Sequence, residues 1–467
     1  MTAADTGRTG APGPHQEEAR QEAHKEEVGF LKELTGLLLR TSGEGAEQIE
    51  TSVRSAARGL GATADLVVVP DGATVTVGSH GRTTTVAVRG FPEVFRMDQV
   101  VALKPLLGRV AAGSVGAAAA GRELAAITSA RPPYAWWLRL IGITLFAVGF
   151  APLMQPTWYE VWTSAVLGAI TATLAVAAER APRLATVLPV VAATVVSLVT
   201  LEVFARTPAH GGPVLLMLPA LFFFVPGDYL SAATAELAAG FLTTGAIRLV
   251  YAVFLLVQLY LGVMLGLVIT GRSRHALFDV AADGDLPRWA LFLAWIVFTA
   301  GTVLAFAVPL RLLWPLLLLV YATVGVQSGV TKLIGEVGGT FVAAVALGLA
   351  TTWLAARPDR PPRIVLLLPG FFTLTVGSLG MRGLTALAGG YPVRGFQDLT
   401  KMVTIVTAIA AGLLLGAVLA RREDVASGPD AASGPAPDHG PGLVADHGPG
   451  PVADHCPGPG AGDGPAP

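Results

Sequence analysis

Residues 218–240 read "LPALFFFVPGDYLSAATAELAAG". A run of Leu, Phe and Val meets the helix breaker Pro226-Gly227, then a carboxylate, Asp228, and then small apolar residues resume. An Asp at the centre of a membrane helix costs roughly 2.5–3.5 kcal/mol on insertion scales, so an acid in that place is a candidate functional group. Two readings are open. The break lines a solvated path, with Asp228 on it. Or the span ends near Pro226, Asp228 sits at the interface, and Pro and Gly serve helix contact alone.

The surroundings are membrane sequence. The chain has 467 residues, is 52% hydrophobic and only 14% charged, and has a mean hydropathy of +0.60. Ordinary soluble domains carry about 25% charged residues. From about Ala135 to Ala420, apolar runs near 20 residues long follow one another with short breaks. Such runs match a hydrocarbon core of roughly 30 Å at about 1.5 Å rise per residue. The fold class expected is a polytopic α-helical membrane protein of about ten transmembrane helices, preceded by a small α+β soluble domain.

Six regions are expected. Residues 1–27 lack large apolar residues and read as a disordered tail. Residues 28–133 read as the soluble domain with its connecting helix. Residues 134–270 form a first five-span half, 271–288 an inter-half loop ("GRSRHALFDVAADGDLPR"), and 289–422 a second five-span half. Residues 423–467 form a disordered Gly/Pro/Ala/Asp/His tail with the octapeptides "DHGPGLVA", "DHGPGPVA" and "DHCPGPGA". Within the soluble domain, Phe30, Leu31, Leu34, Leu37 and Leu38 share one helix face. Ser42 reads as a cap, and Gly59 and Gly61 as a stop, for a second helix. Three strand-like pieces flank Asp71-Gly72 and Ser79-His80-Gly81, and a helical stretch runs from about Met97 to Ala130.

Several function classes are disfavoured. A net charge of -1 gives no sign of a nucleic-acid partner. The single cysteine, Cys456, excludes an intrachain disulfide framework and a Cys-cluster metal site. No GxxxxGK[ST] pattern offers ATP drive, and no cofactor is expected. No apolar h-region opens the chain, so no cleaved leader is expected.

A shift of 150 residues lays the second half over the first. "LPALFFFVPGDYLSAATAELAAG" covers "LPGFFTLTVGSLGMRGLTALAGG" (368–390) without a gap, and Leu218/Leu368, Pro219/Pro369, Phe222/Phe372, Gly227/Gly377 and Gly240/Gly390 coincide. An odd-numbered repeat enters the membrane in the opposite orientation, which is the inverted-repeat plan of many secondary transporters. In those folds substrate and ion sites lie near mid-membrane, on helices broken at matching places. The candidate path residues are therefore Pro226, Gly227, Asp228, Thr373, Thr375, Gly377, Ser378 and Arg382. Burial raises a carboxylate's pKa, which makes Asp228 the candidate for proton coupling. Arg382 either pairs with Asp228, holds a substrate carboxylate, or snorkels to the interface. Thr373, Thr375 and Ser378 either contact an amino or hydroxyl group or bond back to helix carbonyls. Glu202, Gln258, Gln327, Glu336 and Glu236 are weaker candidates, and Arg139 reads as a snorkelling residue. A slight Lys/Arg excess favours cytoplasmic N- and C-termini.

The chain resembles the threonine/serine exporter family of bacterial membrane proteins over about residues 30–420. The resemblance lies in "LTGLLLRTSGEGAEQIETSVRSAARGLGATADLVV" and in the paired "LPALFFFVPGDYLSAATAELAAG" and "LLPGFFTLTVGSLGMRGLTALAGG". It implies about ten spans in two related five-span halves, and export of small hydroxylated amino acids on the proton gradient. "LFFFVPGDYLSA" is bulkier and less polar than the family pattern leads one to expect. The reading is then a secondary exporter, not an enzyme, in the bacterial cytoplasmic membrane. Its partners would be threonine- or serine-like amino acids, protons and the lipid bilayer. The alternatives are a sensor or hydrolase working through the soluble domain, or a passive channel.

Overall fold

The computed structural model describes residues 14–40, 45–69, 72–90, 96–204, 212–273, 277, 284–357, 359–374 and 376–426. The chain divides into two units, Met1–Asp424 and Val425–Pro467, and the architecture below is that of the first. Ser42, Asp71, Thr375 and the octapeptide tail fall outside the described residues.

Near the N-terminus, helices α1 (Pro14–Arg40) and α2 (Ala46–Gly59) cover a three-stranded antiparallel sheet, β1 (Thr63–Val69), β2 (Gly72–Ser79) and β3 (Arg82–Arg89). The ladders close at Val69↔Gly72 and Ser79↔Arg82. His80 (φ 52) and Gly81 (φ 76) turn the second hairpin, where both central residues need the left-handed region. Alternation puts Val75 and Val77 of β2 against Leu31, Leu34 and Leu38 of α1 in one core. The tail expected to be disordered over 1–27 is instead helical from Pro14. Its Ala, Glu, Gln and Lys residues favour helix, and polar contacts anchor it: the His24 ring bonds Ser79 and Thr84 at 2.6 and 2.8 Å, and Glu27 meets His80 at 3.3 Å. The stretch expected as one helix from 97 to 130 is two, α3 (Met97–Ala111) and α4 (Ala117–Ser129), parted at Gly113 with φ 69.

The remainder is helical: α5 (Trp136–Met154), α6 (Trp158–Ala178), α7 (Pro182–Val199, continued by a π turn to Phe204), α8 (Pro213–Leu221), α9 (Gly227–Ala238), α10 (Leu242–Ile269), α11 (Arg288–Ala305), α12 (Leu313–Ala355), α13 (Arg363–Thr373), α14 (Val376–Ala388) and α15 (Pro392–Ala426). Among the described residues, seven helices are long and apolar enough to cross a membrane, and Pro213–Phe224 and Arg363–Thr373 are shorter apolar helices. The protein is thus a mostly helical, multi-pass membrane protein with a small sheet near its N-terminus. Trp136, Trp158, Trp289, Trp314 and Trp353 are exposed near helix ends, as in an interfacial aromatic belt. Helix α12 is interrupted at Gly335, whose φ of 81 is open only to a residue without Cβ.

Glycine decides how α5 meets α11. A Cβ at Gly142 would overlap Leu304, one at Gly149 would overlap the Phe298 backbone, and one at Gly301 would overlap the Phe146 backbone. As the α5 number rises from 142 through 146 to 149, its α11 partner falls from 304 through 301 to 298, so the two helices run antiparallel. Small residues at such a crossing let backbones approach and gain dispersion energy, the main attraction available in lipid.

The two segments highlighted by the 150-residue shift share local geometry. Helix α8 begins at Pro213 and α13 at Arg363; α10 begins at Leu242 and α15 at Pro392. Gly240 and Gly390 have φ of 88 and 87. The Phe241 N–H donates to Glu236 O at 2.9 Å, and Tyr391 N–H to Ala386 O at 3.0 Å. A Cβ at Gly245 would meet Leu237, and one at Gly395 would meet Leu387.

Three helix-end contacts tie the N-terminal elements to the membrane helices. Met97 N–H donates to Phe306 O at 3.1 Å and the Tyr134 hydroxyl to Val308 O at 2.6 Å, past the end of α11. The Lys104 amine donates to Ala355 O at 2.6 Å, at the C-terminus of α12, where a cation also suits the helix dipole. Burial pushes the Lys104 amine below the ordinary lysine range, while Asp359 opposes the shift.

Filling the α5–α11 crossing should unfold the protein more readily. Gly149→Leu is expected to cost about 1–3 kcal/mol or more through overpacking, seen as a lower Tm in detergent. Gly325→Ala, on α12 with nothing within 4 Å of the added Cβ, should leave Tm unchanged or raise it.

Candidate functional site

The two interrupted segments come together. Helix α8 runs into a single 3-10 turn at Phe222–Phe224, the chain extends at Val225, and α9 starts at Gly227 after Pro226. Helix α13 ends at Thr373 and α14 starts at Val376. Phe222 and its 150-residue counterpart Phe372 stand with ring centroids 5.9 Å apart. A Cβ at Gly227 would sit 3.7 Å from the Phe371 ring. Phe146, Phe150, Phe298 and Phe306 complete an aromatic cluster around the two breaks, with Phe150 stacked on Phe222 at 3.8 Å. Free backbone groups at the breaks are thereby enclosed by protein rather than lipid, the condition under which non-helical backbone persists at membrane depth.

From this junction a cavity of about 650 Å³ extends toward the N-terminal elements. One face of α9 lines it, through Tyr229, Ala232, Ala235, Glu236 and Ala239 at helical spacing. Phe371, Leu367 and Arg363 of α13 line it from break to helix start, α15 contributes Leu413 and Ala417, and the N-terminus of α2 closes it with Gly45 to Gln48. Its size falls in the range of about 300–1,000 Å³ typical of small-molecule sites, apolar with a few polar groups.

Glu236, on the cavity wall, pairs with Arg248 behind it at 3.3 Å, with side chains 7% and 6% exposed. The glycine turn at 240 folds α9 back on α10 and brings them face to face. Glu236 Oε1 also accepts the Ala46 N–H at 3.1 Å. Helix α2 is capped by Gly45, which has no side chain to satisfy its first amides, so a carboxylate from α9 does so. Arg363 donates to Leu413 O at 3.4 Å beside the same cavity.

At the α14–α15 turn the corresponding space is nearly closed. Arg382, Thr385, Tyr391, Arg394 and Asp398 surround a recess of about 20 Å³ with Leu277. These positions match Ala232, Ala235, Phe241, Thr244 and Arg248 across the 150-residue shift.

The expected path residues are distributed as follows. Pro226 and Gly227 are buried at the start of α9, and Asp228 occupies its first turn, with a side chain outside the described set. Thr373 is buried and donates to Gly370 O at 2.6 Å, the back-bonding alternative. Gly377 and Ser378 occupy the first turn of α14. Arg382 lies in the second turn and lines the small recess rather than the large cavity. Pairing of Asp228 with Arg382 lies outside the described side chains. Among the weaker candidates, Gln327 donates to Thr340 at 3.1 Å and Glu336 pairs with Lys401 at 2.6 Å. Arg139 bonds Glu179 at 2.6 Å rather than standing alone at the interface.

Two groups escape a reading of the sequence. Arg248 sits within an apolar run, and only the fold puts it on Glu236. Glu160, with 0% exposure, bonds Gln155 at 3.1 Å, and its N–H donates to Thr157 at 3.1 Å. Thr157-x-x-Glu160 is a capping-box pattern, so that signal is present in the sequence.

Comparison with known proteins decides the class. Residues 33–270 match the family model described as "Putative threonine/serine exporter". The chain belongs to this family. It is therefore a transporter, not an enzyme. It is similar to the "Probable threonine/serine exporter" of Mycobacterium tuberculosis (strain ATCC 25618 / H37Rv), 24% identical over 398 residues, which cover 82% of this chain and 74% of the relative. It is also similar to the "Threonine/serine exporter" of Corynebacterium glutamicum, 27% identical over 165 residues, covering 34% of this chain and 33% of that one. No solved structure matches.

The ion pair gives a testable energy. Arg248→Met leaves Glu236 buried without its partner and should destabilise this family member by about 3–5 kcal/mol. Adding Glu236→Gln should restore much of the loss in thermal unfolding.

Proposed function

We propose that the protein exports threonine, serine or a similar small amino acid across the cytoplasmic membrane in exchange for protons, as ten spans in two inverted five-span halves. The observation that carries this reading is the meeting of two broken helices at the head of a cavity open toward the N-terminal elements. Counting α12 as two crossings about Gly335, and α8–α9 and α13–α14 as one each, brings the seven long helices to ten. The antiparallel crossing of α5 and α11, the first helices of the two halves, supports opposite orientations. The paired turns at Gly240 and Gly390 support a common ancestry of the halves.

In this reading the cavity is the entrance on the cytoplasmic side, where both termini lie. Cargo descends along α9 and α13 to the junction at Phe222 and Phe372. A zwitterion is favoured at the break, because the N-terminus of α9 attracts a carboxylate. Asp228, in that first turn, carries the proton: protonated in one orientation, ionised in the other. Pro226 and Gly227 keep the break open, and Gly377, Ser378, Thr373 and Thr375 shape the facing one. The recess at Arg382 is the shut exit. Alternating access then consists of one half rocking against the other, with the α5–α11 crossing as fulcrum.

Purified protein in proteoliposomes tests this. An imposed pH gradient should drive threonine movement by wild type, and Asp228→Asn should lower it by roughly tenfold or more with normal insertion. Movement of no amino acid by wild type contradicts the exporter reading. Equal rates in both contradict the role given to Asp228.

A further inference from the structure

We propose that the N-terminal α+β elements form a lid over the transport cavity, and that Glu236 is its latch. The inference rests on the exporter reading above, in which the cavity is the cargo entrance.

Four observations converge. First, the N-terminus of α2 walls the 650 Å³ cavity, so cargo passing between the N-terminal elements and α9 passes this helix end. Second, a carboxylate from α9 holds that helix end: Glu236 Oε1 accepts the Ala46 N–H at 3.1 Å, and the N-cap Gly45 supplies no side chain of its own. An anion at a helix N-terminus gains both the hydrogen bond and the dipole interaction. Third, Arg248 of α10 fixes Glu236 from the other side at 3.3 Å, so the latch is set by the α9–α10 turn, at the end of α9 opposite the break. Movement of α9 during transport must therefore move or release α2.

The fourth observation comes from the repeat. At the 150-residue counterparts, Glu236 becomes Ala386 and Arg248 becomes Asp398. The turn geometry around Gly240 and Gly390 is shared by the two segments, yet the position of the Glu236 carboxylate is taken by Ala386 in the second. A carboxylate needed only to shape an α–turn–α corner would be wanted at both positions. This one occurs in the half whose corner faces α2, which is the pattern expected of a residue serving the lid.

Among the described residues, the charged groups that pair with Glu236 or line the cavity with it are Arg248 on α10, Glu47 on α2 and Arg363 on α13. Glu236 is thus a positioning residue: it holds a helix over the entrance and makes no claim on cargo. Closed, the lid keeps the cavity from the cytoplasm. Released, it admits cargo from that side.

A covalent latch tests this. A Cβ at Gly45 would lie 4.0 Å from Glu236 Cγ, within reach of a disulfide. In full-length protein carrying Cys456→Ser, Gly45→Cys and Glu236→Cys are combined and reconstituted, and threonine efflux is measured before oxidation, after oxidation and after reduction. The expected result is a fall of roughly tenfold or more on oxidation, with recovery on reduction. Each single-cysteine protein should be unaffected by the oxidant. Unchanged efflux in protein shown by gel shift to be cross-linked overturns the lid while leaving the exporter reading intact. Absence of threonine efflux in wild-type protein overturns both.

Discussion

A helix that stops inside a membrane leaves backbone amides and carbonyls that lipid cannot satisfy, at a cost of several kcal/mol each. In this chain two short apolar helices stop at Phe224–Pro226 and after Thr373. Much of the rest follows from the need to enclose those ends. The breaks abut through Phe222 and Phe372, ringed by Phe146, Phe150, Phe298 and Phe306. Helices α5 and α11 supply Phe146, Phe150 and Phe298, with Phe306 just past the end of α11, and they can do so because Gly142, Gly149 and Gly301 allow their backbones to approach. The glycine crossing, the aromatic cluster and the breaks therefore stand or fall together. A transport site at the breaks would inherit a dry, preformed wall on one side and the cavity on the other.

A second theme is how the N-terminal elements are joined to the membrane helices. The polar contacts are made at helix ends, beside apolar packing of Met97, Val100 and Val101 of α3 against the membrane helices. Lys104 supplies a cation to the C-terminus of α12, and Glu236 supplies an anion to the N-terminus of α2. Each is a charge matched to the exposed end of a helix dipole. Contacts of this kind are directional, few in number, and individually modest beside a buried core. They suit the proposed lid, which opens without unfolding either part.

The sequence made the architecture legible where physics speaks through composition. Apolar runs announced the membrane helices, Ser79-His80-Gly81 announced a hairpin, and Pro226-Gly227 and Pro369-Gly370 announced the two interrupted segments. Legibility failed where contacts are polar and distant. Residues 14–27 carry no large apolar side chain, yet His24 and Glu27 bury themselves on Ser79, Thr84 and His80, and the helix follows. Gly113 divides a helix that its apolar pattern joins, because a single positive φ leaves periodicity untouched. Glu236 read as a weak candidate because its value depends on Arg248 and Ala46, 12 and 190 residues away in sequence. Arg382 lines the small recess rather than the large cavity, since helical phase decides which space a side chain enters.

Opposite orientation of the two halves is the central claim, and impermeant thiol labelling addresses it most directly. Thr243 and Val393 are counterparts under the 150-residue shift, both exposed in the first turn of their helices, α10 and α15. Each is replaced by Cys in a Cys456→Ser background, and intact cells are treated with a membrane-impermeant maleimide. The account predicts that Val393→Cys is labelled from outside and Thr243→Cys only after the membrane is permeabilised. Labelling of both from the same side would contradict it.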